Sequence, residues 1–125
     1  MGQATPAAEQ RVLIVDDDET VLEIAAVFVR ELGYAVSTAK NAIEALQILQ
    51  RDRSITTLFS DMTMPGMDGE QLAECALMLR RGLHVILTSG ARRPSAKVAF
   101  VAKPYHAVDL VRVLPRRPLG RPRTF

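Results

Sequence analysis

The chain has 125 residues, 48% of them hydrophobic and 24% charged, with a formal net charge of +2. That size and composition describe one globular domain with a single core and exclude a disordered chain. The one cysteine, Cys75, excludes an intramolecular disulfide and a multi-cysteine zinc site, and no apolar run approaches the roughly 18 residues of a membrane span.

Residues 1–10 have neither the basic start nor the apolar middle of a secretory signal, so they read as a flexible leader or linker. A cytoplasmic protein is the expectation. Charge is unevenly placed: residues 1–90 hold seven basic and thirteen acidic side chains, residues 91–125 nine basic and one acidic. A basic end segment can touch nucleic acid, a membrane or an acidic partner. With few aromatics and no recognisable nucleic-acid motif, binding to nucleic acid is not expected.

Arg11-Val12-Leu13-Ile14-Val15 is a continuous, β-branched apolar run, the pattern of a strand buried on both faces of a parallel sheet. It ends in Asp16-Asp17-Asp18-Glu19. From Thr20 the apolar period becomes helical, with Leu22, Ala25, Ala26 and Val29 on one face and Gly33 as a stop. Tyr34 to Thr38 is a second short strand. Asn41 caps a second helix, with Glu44 three residues on as in a capping box. Ile43, Leu46, Ile48 and Leu49 supply its apolar side, and it ends near Arg51-Asp52.

Thr56 to Ser60 is a third strand, leading into Asp61-Met62-Thr63-Met64-Pro65-Gly66-Met67-Asp68-Gly69. Asp68 caps a third helix from Gly69 to Arg80, with Cys75 in it as a buried or half-buried thiol and Gly82 beyond it. His84 to Thr88 is a fourth strand and Val98 to Val101 a fifth. Only nine residues separate Thr88 from Val98, and they include Gly90 and Pro94. A βαβ crossover needs about 10–12 residues or more, so the fourth helix is expected to be one turn or a loop. After Pro104, His106 to Leu114 forms a last helix carrying Val108, Leu110, Val111 and Leu114. Residues 115–125 are rich in Pro and Arg and read as a disordered tail.

Strands alternating with helices imply βαβ units and a parallel sheet. In such a sheet the strand C-terminal ends share one edge, where ligands bind. Asp16 and Asp17 follow the first strand, Asp61 closes the third, Thr88 the fourth, and Lys103 follows the fifth. Carboxylates gathered together repel unless a cation neutralises them, and hard oxygen ligands suit Mg²⁺. A lysine offers a point charge to a phosphoryl oxygen, and a hydroxyl donates to another. A carboxylate facing these groups is a candidate nucleophile for forming an acyl phosphate.

Taken singly, each group has a plain structural explanation. The acidic run favours a helix start, Asp61 and Thr88 end strands, and Lys103-Pro104 terminates one. Five groups at the ends of four strands are harder to obtain by accident. Together with Met64-Pro65-Gly66-Met67-Asp68-Gly69, Leu87-Thr88-Ser89-Gly90 and Phe100-Val101-Ala102-Lys103-Pro104, they resemble the receiver domain of two-component response regulators. The resemblance covers residues 11–114.

It implies a flavodoxin-like, doubly wound α/β fold with a five-stranded parallel sheet of order 2-1-3-4-5, here with the fourth helix short or missing. It implies phosphoryl transfer from a partner's phosphohistidine, on a histidine kinase or a histidine phosphotransfer protein, to Asp61. Asp16, Asp17, Asp61 and the Thr63 backbone carbonyl would hold Mg²⁺. Thr88 and Lys103 would contact the phosphoryl group, and the Lys103-Pro104 bond is commonly cis in such domains. Phe100 occupies the family's aromatic switch position without a hydroxyl.

Such a domain is not an enzyme in isolation, beyond catalysing its own phosphorylation and dephosphorylation, and a monomer or weak dimer is expected. Ser60-Asp61-Met62-Thr63-Met64-Pro65 looks like receivers fused to the C-terminus of hybrid sensor histidine kinases. That wording favours an excised hybrid-kinase receiver or a stand-alone receiver over a transcription factor.

Two other readings stand beside it. Asp16-Asp17-Asp18-Glu19-Thr20 also resembles the nucleophile motif of haloacid-dehalogenase-type phosphatases, with Asp16 as nucleophile and Asp18 as general acid/base. That reading leaves Asp61 unexplained and lacks a later acidic metal motif. The third reading is a pseudo-receiver, an interaction module without phosphorylation.

Overall fold

The computed structural model describes residues 10–95 and 97–115. The expected leader and basic tail lie outside the described residues except for Gln10 and Pro115. Five parallel strands form one sheet of order β2-β1-β3-β4-β5. They are β1 (Arg11–Val15), β2 (Ala35–Ala39), β3 (Ile55–Asp61), β4 (His84–Ser89) and β5 (Ala99–Ala102). The helices are α1 (Glu19–Glu31), α2 (Ala42–Arg51), α3 (Gly69–Leu79) and the short α4 (Ala107–Val111). This is the doubly wound, flavodoxin-like arrangement that the alternating pattern implies.

The alternation of side chains along each strand divides the core into two layers. Leu13, Val15, Leu58, Val85 and Leu87 pack with α2 and α3. Val12, Ile14, Phe59 and Ile86 pack with α1 and α4. Both faces of the central strands are therefore covered, which is why those strands read as unbroken apolar runs.

The helix starts follow their caps. The Asp18 carboxylate accepts from the backbone N–H of Thr20 and Val21 and begins α1. Asn41 accepts from Glu44 N at 2.8 Å. Asp68 and Gln71 form a reciprocal capping box at α3. All four residues expected on the inner face of α1 are buried.

Two helix faces differ from expectation. With Asn41 as cap, the inner stripe of α2 is Ala42, Ala45 and Leu49, so Ile43 turns outward and is 60% exposed. The last helix is shorter than 106–114: Leu110 and Leu114 are buried, but Val108 and Val111 face outward, 66% and 57% exposed. Beyond α4 the chain is held by side chains, with His84 Nε2 2.7 Å from Val113 O and the Tyr34 hydroxyl donating to Pro115 O. Between β4 and β5 there is no helix among the described residues, in accord with the nine-residue spacing.

Opposite the functional edge, Arg80 ties three elements together. Its guanidinium donates to Ile55 O at 2.8 Å, Asp52 O at 2.8 Å and Leu49 O at 3.2 Å. These carbonyls end α2 and begin β3. Arg80→Ala is expected to lower the unfolding free energy by about 2 kcal/mol, read from urea denaturation. Arg80→Lys should recover little of it, because an ammonium lacks the planar fork. An unchanged midpoint in Arg80→Ala would show that the three bonds contribute nothing.

Candidate functional site

The parallel register sets the site. Val15 pairs with Ser60, Asp61 with Thr88, and Thr88 with Val101. The residues that close or follow these strands therefore meet at one edge. Asp61 is 7% exposed, Asp16 4% and Thr88 2%, while Asp17 is exposed to solvent. One carboxylate oxygen from each of Asp16, Asp17 and Asp61 lies within 4.8 Å of the other two. Lys103 extends into this group, with Nζ 3.2 Å from Asp61 Oδ1 and 3.4 Å from Asp16 Oδ2.

Backbone hydrogen bonds lock the strand ends that carry these side chains. Met62 N donates to Thr88 O at 2.9 Å, Lys103 N to Ser89 O at 3.0 Å, and Asp16 N to Ala39 O at 3.2 Å. The Asp16 carboxylate accepts from Asp18 N at 2.9 Å. After Asp61 the chain turns through Gly66, at φ +80°, and comes back at Gly69. A Cβ on Gly69 would stand 2.3 Å from the Asp61 carbonyl oxygen, so only glycine lets α3 begin there. The Lys103-Pro104 bond is cis.

Burial pushes the Asp16 carboxyl above its ordinary pKa. The Asp18 N–H and the Lys103 charge oppose that rise, and the Asp61 charge adds to it. Burial alone would pull the Lys103 ammonium down, but Asp16 and then Asp61 outweigh it, and its pKa is raised. The Tyr105 hydroxyl is pushed up to about 12 by burial, then by the charges of Asp16 and Asp61.

Thr88 Oγ1, like Thr57 Oγ1 at the other end of the sheet, is buried with no hydrogen-bond partner among the described residues. An unsatisfied hydroxyl costs free energy unless a ligand meets it. Three hard oxygen ligands, a lysine and an unpartnered hydroxyl are a donor set suited to a divalent cation and a phosphoryl group.

The site thus brings together Asp16, Asp17, Asp61, Thr88 and Lys103. Phe100 lies apart, half-buried against the α2–α3 layer, with the Arg93 guanidinium 5.1 Å from its ring centroid. The sequence patterns did not mark Tyr105, whose ring packs 5.5 Å from Phe59 and 6.4 Å from Phe28. Nor did they mark Glu70, which reads as an ordinary acidic helix start but binds the segment after β4.

Fold and site together define a receiver. The family model described as the response regulator receiver domain matches residues 12–114, and the chain belongs to that family. A 14.6 kDa protein of Leptolyngbya boryana is 30% identical over 125 residues, covering 92% of this chain and 95% of that protein. The two-component response regulator ARR12 of Arabidopsis thaliana is 39% identical over 85 residues, covering 67% of this chain and 14% of that regulator. The chain therefore spans a small part of that relative. The crystal structure of the receiver domain from the hybrid histidine kinase CckA is 34% identical, with a TM-score of 0.72 over 82% of this chain and 93% of that one.

With its pKa raised above the ordinary 3.8, Asp16 favours the folded state fully below that value, and this contribution is lost as pH rises through the folded pKa. At neutral pH its ionised form opposes folding. Asp16→Asn is therefore expected to raise the metal-free melting temperature at pH 7, with the gap closing toward pH 3. Scanning calorimetry across that range checks the sign; a lowered melting temperature at pH 7 would contradict it.

Proposed function

We propose that this chain is the phosphoacceptor of a two-component or phosphorelay system, taking a phosphoryl group onto Asp61. What carries the reading is Lys103 held between the Asp16 and Asp61 carboxylates, beside the unpartnered Thr88 hydroxyl. An Asp61 carboxylate oxygen attacks the phosphorus of a partner's phosphohistidine. The P–N bond breaks, and the imidazole leaves with the bonding electron pair and takes up a proton. Lys103 and Thr88 hold the phosphoryl oxygens by charge and by hydrogen bond. Asp16, Asp17, Asp61 and the Thr63 carbonyl would hold Mg²⁺, which when bound neutralises charge on the phosphoryl oxygens.

The phosphatase alternative needs a free Asp18 as acid/base, yet Asp18 is engaged in capping α1.

The phosphodonor partner is a histidine kinase or histidine phosphotransfer protein. An apolar cleft of about 440 Å³ beside Lys103 is lined by Val21, Ile24, Phe28 and Tyr105. Val108 and Val111 on α4 add exposed apolar surface to this layer. Such a face suits a helical partner that presents its phosphohistidine at the edge. The similarity to a receiver from a hybrid histidine kinase supports a parent of that type, and we place its work in the cytoplasm. Among the described residues no helix is long and apolar enough to cross a membrane.

Incubation with Mg²⁺ and acetyl phosphate, then borohydride trapping and peptide mapping, should place the label on Asp61. Asp61→Asn should abolish labelling while the fold survives, and label persisting in that variant would sink the assignment. Label on Asp16 with turnover would favour the phosphatase, and no label at all a pseudo-receiver. Lys103→Ala should leave Mg²⁺ affinity largely intact yet slow labelling. Ile24→Glu should slow transfer from a phosphohistidine protein about tenfold while labelling by acetyl phosphate is unchanged; equal losses with both donors would remove the docking role.

A further inference from the structure

Glu70 occupies the first turn of α3, and its carboxylate reaches well beyond its own helix. Oε2 accepts from Ser95 N at 2.7 Å and from Ser95 Oγ at 2.9 Å. Oε1 accepts from the Arg92 guanidinium at 3.3 Å. Arg92 and Ser95 belong to the segment between β4 and β5, the crossover without a helix among the described residues. Ser89 fastens the start of that segment, its Oγ accepting from Ala91 N at 3.0 Å and Arg92 N at 3.2 Å. A segment without a helical ladder depends on such side-chain attachments for its order.

Both sides of the Glu70 clamp begin at the acceptor site. On one side, α3 starts at Gly69, whose N–H donates to Met62 O at 3.0 Å and whose Cα leaves no room for a Cβ against the Asp61 carbonyl. On the other, the segment continues directly from Thr88 and Ser89, whose carbonyls accept from Met62 N and Lys103 N. The clamp therefore closes a ring: Asp61, Met62, α3, Glu70, the segment, Ser89, Thr88. The Thr88 hydroxyl sits in that ring, buried and without a partner among the described residues.

Resting on the acceptor reading above, we propose that Glu70 is a positioning residue. By clamping Arg92 and Ser95 to α3 it fixes the backbone that presents the Thr88 hydroxyl to a group on Asp61. It does from the neighbouring helix what a fourth helix would do from within the crossover. Coupling of this kind is reciprocal, so a group on Asp61 strengthens the clamp by the factor by which the clamp strengthens its binding.

The test uses the full chain and two probes, Mg²⁺ alone and beryllium fluoride at saturating Mg²⁺, with affinities from calorimetry and amide exchange at Ser95. Glu70→Ala should keep its Mg²⁺ affinity within about twofold and bind beryllium fluoride about 5- to 10-fold more weakly. Glu70→Gln keeps an acceptor for Ser95 and should recover part of that loss. Glu70→Asp keeps the charge at the helix start but falls short of Ser95, so it should recover little; full recovery would reduce Glu70 to a helix-dipole role. In the wild type, Ser95 N–H exchange should slow on loading, and in Glu70→Ala it should not.

Wild-type affinity for beryllium fluoride in Glu70→Ala overturns the proposal and leaves the acceptor reading standing. Failure of the wild type to bind beryllium fluoride overturns both. If Glu70→Ala does not fold, Ser95→Ala carries the test: it removes the hydroxyl bond alone and should weaken beryllium fluoride binding about twofold or more. An unchanged affinity there counts as refutation.

Discussion

Three charges that water would otherwise solvate meet at one edge of the sheet: Asp16 and Asp61, both nearly buried, and the Lys103 ammonium at 3.4 and 3.2 Å from them. Two carboxylates so placed repel, and burial penalises each. The lysine makes the arrangement tenable. It follows β5, two strands from β3 and three from β1. With strands about 4.8 Å apart, only a long, flexible side chain bridges that gap. The strand order, the β5 register and the Ser89–Lys103 backbone bond all serve to aim one ammonium at two carboxylates.

Much of this was legible in the chain itself. The unbroken apolar runs announced strands covered on both faces, and the carboxylates, hydroxyl and lysine at four strand ends pointed jointly to one edge of the sheet. Caps at Asn41 and Asp68 marked two helix starts, while the Asp18 cap of α1 lay hidden within the acidic run. The inner face of α1 follows its apolar period, but α2 and α4 depart from theirs. Ile43, Val108 and Val111 look like core by type, yet each lies off the inward stripe and is largely exposed. Hydrophobicity alone does not separate a residue that faces the sheet from one that faces a partner. The phase of the helix decides, and the cap sets the phase.

The crossover after β4 shows a different limit. Its length was enough to remove a helix, because nine residues cannot descend, turn and return through one. What replaced the helix was hidden. Glu70 precedes Arg92 by 22 residues and Ser95 by 25. An acidic residue in the first turn of α3 already has a sufficient local explanation in the helix dipole. A long-range contact made by a locally explained residue leaves no trace in periodicity or motif.

That substitution bears on how a signal leaves the site. Phe100 sits at the margin of the α2–α3 layer under the Arg93 guanidinium, and Arg93 lies between the two residues that Glu70 holds. Its cover is therefore a cation on a loop, not the apolar side of a helix. A cation over an aromatic ring contributes on the order of 1 kcal/mol at a partly exposed site, far less than a packed helix face. A small change in how the loop is held would then move the Arg93 cover more easily than a packed helix face. A helix at this place would have to shift as a rigid body, whereas a clamped loop can tighten or loosen residue by residue. On the acceptor reading proposed above, the shortened crossover would respond through the order of a loop rather than the displacement of a helix, with Glu70 as its fastening point.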